Sequence, residues 1–468
     1  MKKYVVLAVI FISLLLVRTE SYAMNIHYEK KEKIMKTDKV SIDKVGNMSI
    51  AKIMKILQKV KKIDDADNGK MWGMSLATRV MVVDPKTRKV IATEADNEGH
   101  FKKIGVLYEG QLSDDVGLAN TTIKYGGKQW AMILYSESDD ISDTIATYVH
   151  EMFHNVQNDL GQEVDTVSSE DSSWSVYDNG HMDEMNARIY LKLEWEALHK
   201  ALESSGNEKK TAIADAITFR LARRDKYDST KNENLLEVQE GMAEYTSERL
   251  VYPTNESMKQ ILQNDWKRYL DEKRTITFVR SFGYHSGVLY GLLLDECSSD
   301  WRQSIKYDSD LGEMLRNEYN ISMSDLSLKK SEKRYCYEEI YHYEYKRNQT
   351  REKITSLYSD KFINGSTLQL NLNHPQVTFN PNNIWELKGY GNVYVTAEII
   401  DDFGKIVVTK GGMLLSSDWH KAFVSSKNIH ISGKNITGDG WRIKLKDGYI
   451  IKKLKYGCYI IRKNQDNF

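Results

Sequence analysis

Two histidines and a glutamate lie within five residues of one another in the 468-residue chain. His150, Glu151 and His154 form the pattern HExxH, and we expect residues 144–157 around it to be helical. Residues four apart lie on one face of a helix, so both imidazoles can reach one metal ion while Glu151 addresses an open coordination position. The spacing predicts a zinc site in which Glu151 accepts a proton from a zinc-activated water.

The residues that flank this motif are apolar. They are Val149, Met152, Phe153 and Val156. Such flanks indicate a helix inside a core, whereas the alternative is a surface helix with two solvent-facing histidines. A buried pair of histidines beside a carboxylate needs a compensating partner, and a metal ion supplies one.

A catalytic zinc needs a third protein ligand. No histidine follows His154 at the metzincin spacing, so we expect a carboxylate from another helix. Glu240 is the first choice, because Gly241 beside it would let the backbone pass close to the motif helix. Glu244, one turn later, stays open as the competing ligand or as an acceptor that orients an imidazole. A further alternative is that both are ordinary solvent-facing carboxylates.

These two segments together resemble the gluzincins, in which HExxH is completed by a glutamate in an NEGxA-like stretch, as in relatives of aminopeptidase N. Gln239 stands where that asparagine is usual, and Glu240 follows His154 by 86 residues where the aminopeptidases have a short helical hairpin. From about Trp72 to its C-terminus, the chain is also similar to secreted bacterial proteins with the patterns HExFHxxQ, LEWxAL and EGxAEY. The resemblance implies a zinc metallopeptidase with a zincin-like catalytic domain.

A further stretch, residues 282–290, resembles the YxxG segment in which the aminopeptidases place a tyrosine that acts in the transition state. The resemblance implies that the phenol of Tyr284 stabilises the developing oxyanion. An aromatic ring that packs on the core at a helix start is the alternative.

The rest of the chain predicts the elements that position these groups. Within residues 24–138 we expect a helix at 49–63 and a small antiparallel or mixed sheet at 71–136. Residues 139–356 form a mainly helical zinc-binding region, and residues 357–468 form a small all-β module. The predicted fold class is α+β. Apolar residues recur at helical spacing in three segments of the helical region, 183–202, 209–222 and 232–250.

The N-terminus has the pattern of a secretory signal. Two lysines precede an apolar stretch that ends before Ser21-Tyr22-Ala23, which predicts a signal peptide at residues 1–23. The apolar stretch is shorter than the roughly 18 residues that span a bilayer. We expect an exported protein, periplasmic or extracellular, with no membrane span after signal removal, and the resemblance implies a bacterial envelope.

Composition limits the remaining possibilities. Lys plus Arg and Asp plus Glu both number 66, so no charge excess indicates binding to nucleic acid. Cys297, Cys336 and Cys458 permit at most one internal bridge and are expected to be small buried side chains. Arg223 and Arg224 are expected at a solvated helix end.

The sequence therefore predicts peptide-bond hydrolysis, with Zn2+ held by His150, His154 and Glu240 and a peptide or protein as substrate. An edge strand of the sheet before the motif is expected to hold the substrate by backbone pairing. Two other functions stay open: a secreted binding protein that works through the β module, and a zinc hydrolase of non-peptide amides or esters. Intact Glu151 and a three-ligand site disfavour the binding protein. The sequence does not determine endo or exo cleavage or the oligomeric state.

Overall fold

The protein has an α+β fold, as predicted. The computed structural model describes the following ranges: 44–137, 141–162, 179–270, 277–297, 300–380 and 383–464. The predicted signal peptide lies outside these residues. None of the helices within the described ranges has both the length and the apolar content needed to cross a membrane.

The N-terminal region combines one helix with a mixed sheet. Helix α1 (Ile50–Asp67) follows the short hairpin of β1 (Lys44–Val45) and β2 (Met48–Ser49). Six strands form the sheet: β3 (Val80–Val83), β4 (Lys89–Ala92), β5 (Lys102–Ile104), β6 (Leu107–Gln111), β7 (Thr121–Tyr125) and β8 (Lys128–Leu134). Their order is β5-β6-β4-β3-β8-β7, with β3 and β8 parallel and the other pairs antiparallel. Among these strands, β7 lies at an edge.

Helix α2 (Ile141–His154) carries the HExxH motif and lies between two cores. Val149 and Met152 pack in the core that α1 shares with the sheet. Phe153 and Val156 pack in the core of the helical region. The apolar flanks of the motif are therefore buried, as expected. Burial on both sides leaves α2 little freedom to move relative to either region.

The helical region follows α2. Its α-helices are α3 (Met185–Glu203), α4 (Gly206–Tyr227), α5 (Thr230–Leu236), α6 (Met242–Val251), α7 (Asn255–Leu270), α8 (Phe282–Asp295), α9 (Leu311–Glu318), α10 (Leu328–Glu332) and α11 (Tyr337–Phe362). Short 3-10 turns are formed by Gly180–Asp183, Trp301–Ser304 and Met323–Asp325. The three predicted segments correspond to α3, to α4, and to the run from α5 to α6. A π-helical turn (Glu237–Gly241) interrupts that run, and such turns occur frequently at functional sites.

The glycine beside Glu240 has a different neighbour from the one expected. A Cβ on Gly241 would lie 2.5 Å from the carbonyl oxygen of Gly283 and 2.8 Å from Cα of Gly287, both in α8. The sequence interpretation placed this close approach against the motif helix, α2. The structure corrects it: the π turn crosses α8, because glycines on both helices remove the side chains from the crossing.

The substitution Gly287→Ala is expected to disrupt this crossing. Its Cβ would lie 2.3 Å from Cα of Gly241, and backbone atoms cannot rotate away as a side chain can. We expect a loss of about 1–3 kcal/mol in the free energy of unfolding. If Glu240 is a metal ligand, as the sequence predicts, displacement of the π turn that carries it should also lower the metal content of the purified protein. Denaturant titration and elemental analysis measure the two effects.

Gly448→Ala is the control for the loss of a glycine. Gly448 has a φ of +84°, and a Cβ added there would meet no atom within 4 Å, so this change costs backbone strain without a steric clash. Metal content should stay at the wild-type level in Gly448→Ala. A Gly287→Ala protein with wild-type stability and metal content would contradict the described crossing.

Arg223 and Arg224 are buried, so the prediction of a solvated helix end is wrong. Arg223 donates to Glu194 and to both carboxylate oxygens of Glu233, at 3.1 and 2.9 Å for the latter. Arg224 donates to Glu233 at 2.8 Å and to Asp310 at 2.7 Å. These partners come from three places in the helical region: α3, α5 and the residue that precedes α9. The network therefore explains the burial, since each charge has an opposite charge within hydrogen-bond distance.

The C-terminal region is β-rich, as expected, although α11 continues past residue 357 to Phe362 before the strands begin. Its strands are β9 (Thr367–Asn371), β10 (Gln376–Phe379), β11 (Ile384–Leu387), β12 (Gly391–Tyr394), β13 (Ala397–Asp401), β14 (Gly404–Val408), β15 (Met413–Leu415), β16 (Lys421–Ser425), β17 (His430–Ser432), β18 (Asn435–Gly438), β19 (Trp441–Leu445), β20 (Tyr449–Lys453) and β21 (Tyr459–Lys463). A 3-10 turn, Lys455–Gly457, precedes β21. The two sheets have the orders β10-β13-β14-β19-β18-β17 and β11-β12-β15-β16-β9-β21-β20. Apolar side chains of both sheets form one core.

This β module contacts the N-terminal region. The backbone N–H of Gly117, in the segment before β7, donates to Oε1 of Gln376 in β10 at 3.0 Å. Lys446 forms an ion pair of 3.3 Å with Asp115 in the same segment. Edge strand β10 is thus held beside the segment that leads into edge strand β7.

The cysteines do not have the buried positions that the sequence suggested. Cys297 and Cys336 are exposed, Cys458 is half-buried, and all three are free thiols. Cys297 follows the end of α8 and Cys336 immediately precedes α11, so both lie at helix ends on the surface.

Candidate metal centre

Helix α2 and the π turn bring three potential ligand atoms together. The Nε2 atoms of His150 and His154 are 3.1 Å apart, and Oε2 of Glu240 lies 3.6 Å from each of them. All three side chains are buried. Ligand atoms about 2.1 Å from a tetrahedral zinc ion are about 3.4 Å from one another. The three residues predicted as ligands therefore have the spacing that such a metal ion requires.

Hydrogen bonds on the opposite side of each imidazole orient the two rings. His150 Nδ1 donates to Oε2 of Glu244 at 2.9 Å, and His154 Nδ1 donates to Oε1 of Gln157 at 2.6 Å. A proton held on Nδ1 leaves the lone pair of Nε2 available for a metal. Glu244 is thus placed as the acceptor that orients an imidazole, the second of the two roles that the sequence left open for it.

Gln157 is a site residue that the sequence interpretation missed. Its Oε1 also accepts from Nε2 of Gln239 at 2.8 Å, and its own Nε2 donates to the backbone oxygen of Gln239 at 2.9 Å. Gln157 therefore ties the end of α2 to the π turn that carries Glu240. The available signal was its position three residues after His154, which returns it to the same side of the helix.

The charges around Glu240 favour a cation where the three ligand atoms meet. Burial raises the pKa of Glu240, but hydrogen bonds with His150 and His154 and the charge of Arg280 outweigh it and hold the pKa well below its ordinary value. Arg280 lies 3.3 Å from Oε1 of Glu240. Burial likewise lowers the pKa of His150, but Glu240 and Glu244 raise it well above its ordinary value. A proton or a metal ion bound here would supply the positive charge that the carboxylates of Glu240 and Glu244 favour.

Glu151 lies next to the first histidine and is buried. Burial is the largest influence on its pKa and raises it, and the carboxylates of Glu240 and Glu244 act in the same direction against the two imidazoles. A carboxylate with a raised pKa is a stronger base than an exposed glutamate. The position and the basicity of Glu151 suit the proton transfer predicted for it.

Tyr284, at the start of α8, lies beside His150. Its ring stacks on His150 with 5.6 Å between the centroids and 4° between the planes. Burial, the charge of Glu240 and a hydrogen bond to the Glu240 side chain raise its pKa well above the ordinary value, so the phenol keeps its proton and acts as a donor. The stacking also agrees with the packing role that the sequence left as the alternative.

A cavity of about 670 Å³ opens beside these groups. His150, Glu151 and Tyr284 form one part of its wall. Residues 118–120, which lead into edge strand β7, form another part, and residues 378–379 at the end of β10 extend the wall into the β module. The cavity is large enough for several residues of a peptide. The β module therefore contributes to the candidate site.

A second group of potential ligands lies in the β module and has a simpler explanation. It consists of His374, Asp401 and Asp402, and His374 is exposed. Both oxygens of Asp401 accept backbone N–H groups, from Asn373 at 2.8 Å and from His374 at 2.9 Å. These bonds shape the turn between β9 and β10 without a metal ion.

Comparisons of the chain with family models, with curated proteins and with solved structures found no match.

Proposed function

We propose that this protein is an exported zinc metallopeptidase of the gluzincin type, with a zincin-like catalytic domain. The observation that carries the proposal is the convergence of two imidazole nitrogens and one carboxylate oxygen, 3.1 to 3.6 Å apart, with His150 in the wall of a cavity. A buried glutamate follows the first histidine in the chain, as the reaction requires. The arrangement suits catalysis better than a structural metal site, which would use four protein ligands.

His150, His154 and Glu240 are the proposed metal ligands. Zinc bound there would supply Lewis acidity towards water and towards a peptide carbonyl. Glu244 and Gln157 hold the Nδ1 protons of the two histidines and thereby keep both rings in the ligating orientation.

Glu151 is the proposed general base. It accepts a proton from the attacking water and transfers it to the amine that leaves when the peptide C–N bond breaks. Tyr284 keeps its phenolic proton and is proposed to donate a hydrogen bond to the oxygen that becomes negatively charged. Its stacking on His150 fixes the ring direction, and its hydroxyl would move its hydrogen bond from Glu240 to that oxygen.

Edge strand β7 is the proposed backbone partner for the substrate. It pairs with β8 on one side, and residues 118–120 before it line the cavity. An extended peptide can add to such an edge through main-chain hydrogen bonds. Phe379 of the β module would then contact the side chains of the bound peptide.

Metal content measured on three proteins tests this proposal. We expect one zinc per chain in the wild type, loss of most of the zinc in Glu240→Gln, and a weaker effect in Glu244→Gln. Removal of the hydrogen bond that orients His150 should lower zinc affinity by about 10- to 100-fold, because that bond positions a ligand without binding the metal itself. Elemental analysis gives the metal content, and mass spectrometry of a mixed peptide library gives the hydrolysis.

The outcomes separate three cases. Loss of zinc mainly in Glu244→Gln would keep the enzyme class and reassign the third ligand. A folded wild type that binds no zinc would overturn the proposal and favour a binding function for the protein. A zinc-loaded wild type that cleaves no peptide but hydrolyses other amides or esters would retain the metal centre and reject the peptide substrate.

A further inference from the structure

Three glutamates extend from the metal centre along one side of the helix that begins at the π turn. Glu240, Glu244 and Glu248 are four residues apart, so they lie on one helical face. Glu240 faces the two histidines, and Glu244 accepts from Nδ1 of His150. Glu248, one turn further on, contacts neither histidine but lines the cavity. The first two glutamates belong to the metal centre, whereas the third requires a separate explanation.

Glu248 is buried with part of its hydrogen-bonding capacity unused. Glu248 is 4 % exposed. Among the described residues, none forms a hydrogen bond with its buried Oε2. Burial of a carboxylate oxygen without a hydrogen-bond donor costs free energy, so a ligand that donates to Oε2 would be stabilised there. Burial, the charges of Asp265 and Glu244 and a side-chain hydrogen bond with Asp265 raise the pKa of Glu248 well above its ordinary value, so the two carboxyl groups share a proton.

Asp265 on α7 lines the same part of the cavity. Arg268 forms an ion pair with it: a guanidinium nitrogen lies 3.1 Å away, and the side chain of Arg268 is 43 % exposed. Among the described residues that line the cavity, Arg268 is the single arginine or lysine, against five carboxylates: Asp143, Glu151, Glu244, Glu248 and Asp265. The cavity wall therefore attracts cations along the side formed by α6 and α7.

The distance between Glu248 and the metal centre determines which positively charged group of a bound peptide can reach Glu248. Eight residues of helix separate Glu240 from Glu248, a rise of about 12 Å. The free amine of a residue whose own peptide bond is being cleaved lies only about 4 Å from that bond, because consecutive Cα atoms are about 3.8 Å apart. Such an amine cannot reach Glu248 while its carbonyl is at the metal. A long side chain one or two residues from the cleaved bond can reach Glu248.

We propose that Glu248 and Asp265 form a subsite that binds the positively charged side chain of an arginine or lysine in the substrate. This inference rests on the proposed function, since it assumes a peptide in the cavity. The cation would donate to the free Oε2 of Glu248 and share Asp265 with Arg268. A guanidinium group has enough donors to do both.

Two peptides that differ in one residue test the subsite. A mixed peptide library first shows by mass spectrometry which position near the cleaved bond prefers a basic residue. A peptide with arginine there is then compared with its citrulline analogue, which has nearly the same shape and no charge. We expect the wild type to prefer arginine by at least about tenfold in kcat/KM, the size expected for a hydrogen bond between charged groups. Glu248→Gln and Asp265→Asn should each reduce the preference towards unity, mainly through KM, without loss of zinc.

Glu256→Gln is the matched control. Glu256 lies in the first turn of α7, is exposed, and is not among the residues that line the cavity, so the arginine preference should persist. Calorimetric binding of both peptides to the zinc-loaded Glu151→Gln protein gives a second measurement that needs no turnover. There, too, arginine should bind more tightly than citrulline.

The possible failures differ from one another. A wild type that cleaves peptides with no basic preference would overturn the subsite and leave the peptidase intact. A preference abolished by acetylation of the peptide amino terminus, and not by citrulline, would replace the side chain with a terminal amine as the ligand. If no peptide is cleaved and neither peptide binds, the proposed function and the subsite are both wrong.

Discussion

The substitution Glu151→Gln is expected to lower kcat for peptide hydrolysis by about 10²- to 10⁴-fold, the usual contribution of a general base. Glutamine has nearly the same shape as glutamate but cannot accept the proton of the attacking water. Metal binding should survive, because Glu151 is not one of the three residues whose ligand atoms converge. Steady-state kinetics on a cleaved library peptide and elemental analysis of the same sample measure the two properties.

Glu256→Gln, the same chemical change on the surface of α7, should leave both properties at the wild-type level. Loss of zinc together with activity in Glu151→Gln would assign Glu151 to metal binding or to structure. Unchanged kcat with bound zinc would remove Glu151 from the mechanism. Neither result is compatible with a general base at this position.

The substitution Arg223→Met is expected to lower the free energy of unfolding by about 3–5 kcal/mol, the cost of removing one partner from a buried ion pair. Arg223, Glu194 and Glu233 are each fully buried. Without the guanidinium, Glu194 loses a charged donor, and Glu233 keeps its hydrogen bonds with Arg224, His181 and Ser229. Denaturant titration followed by circular dichroism gives the change in stability.

The pH dependence of stability gives a second readout for this network. Burial is the largest influence on the pKa of Glu233 and raises it, but the charges of Arg223 and Arg224 outweigh burial and hold the pKa well below its ordinary value. A carboxyl with a lowered pKa stabilises the fold above its unfolded-state pKa, and this contribution is lost as the pH falls through the folded-state pKa. The Arg223→Met protein should therefore lose less stability on acidification than the wild type.

Lys226→Met removes an exposed charge from the same helix, α4, and should change stability by no more than about 0.5 kcal/mol. Equal stabilities of the Arg223→Met and Lys226→Met proteins would contradict the buried network. A large loss in both would point to a general effect of charge at this end of α4.

Local spacing was sufficient to predict the core of the candidate site. The positions of His150 and His154 in one helix already determine that their imidazoles share a face, because helical geometry acts over four residues. The apolar flanks likewise predicted the burial of α2, and the alternation in β3 places Val80 and Val82 on one core and Met81 and Val83 on the other.

Local spacing could not predict the roles of residues that lie on separate elements. Spacing left Glu240 and Glu244 as competing ligands, since both lie on one face. Only the tertiary structure shows that Oε2 of Glu240 lies 3.6 Å from Nε2 of both histidines, whereas Oε2 of Glu244 lies 2.9 Å from Nδ1 of His150. Gly241 was correctly associated with a close backbone approach, but its partner is α8. Sequence patterns describe one helix at a time, whereas the choice of partner depends on how remote segments pack.

The packing of remote segments also explains why the two arginines are buried and why carboxylates line the cavity. Two charged residues near the end of a helix usually lie in water, and only the arrival of Glu194, Glu233 and Asp310 from other elements makes burial of Arg223 and Arg224 possible. Local patterns thus specify the helices, the strands and the two histidines. Contacts between segments far apart in the chain determine which carboxylate meets the two histidines, which charges are buried and what shape the cavity has, because their free energies arise only when those segments meet.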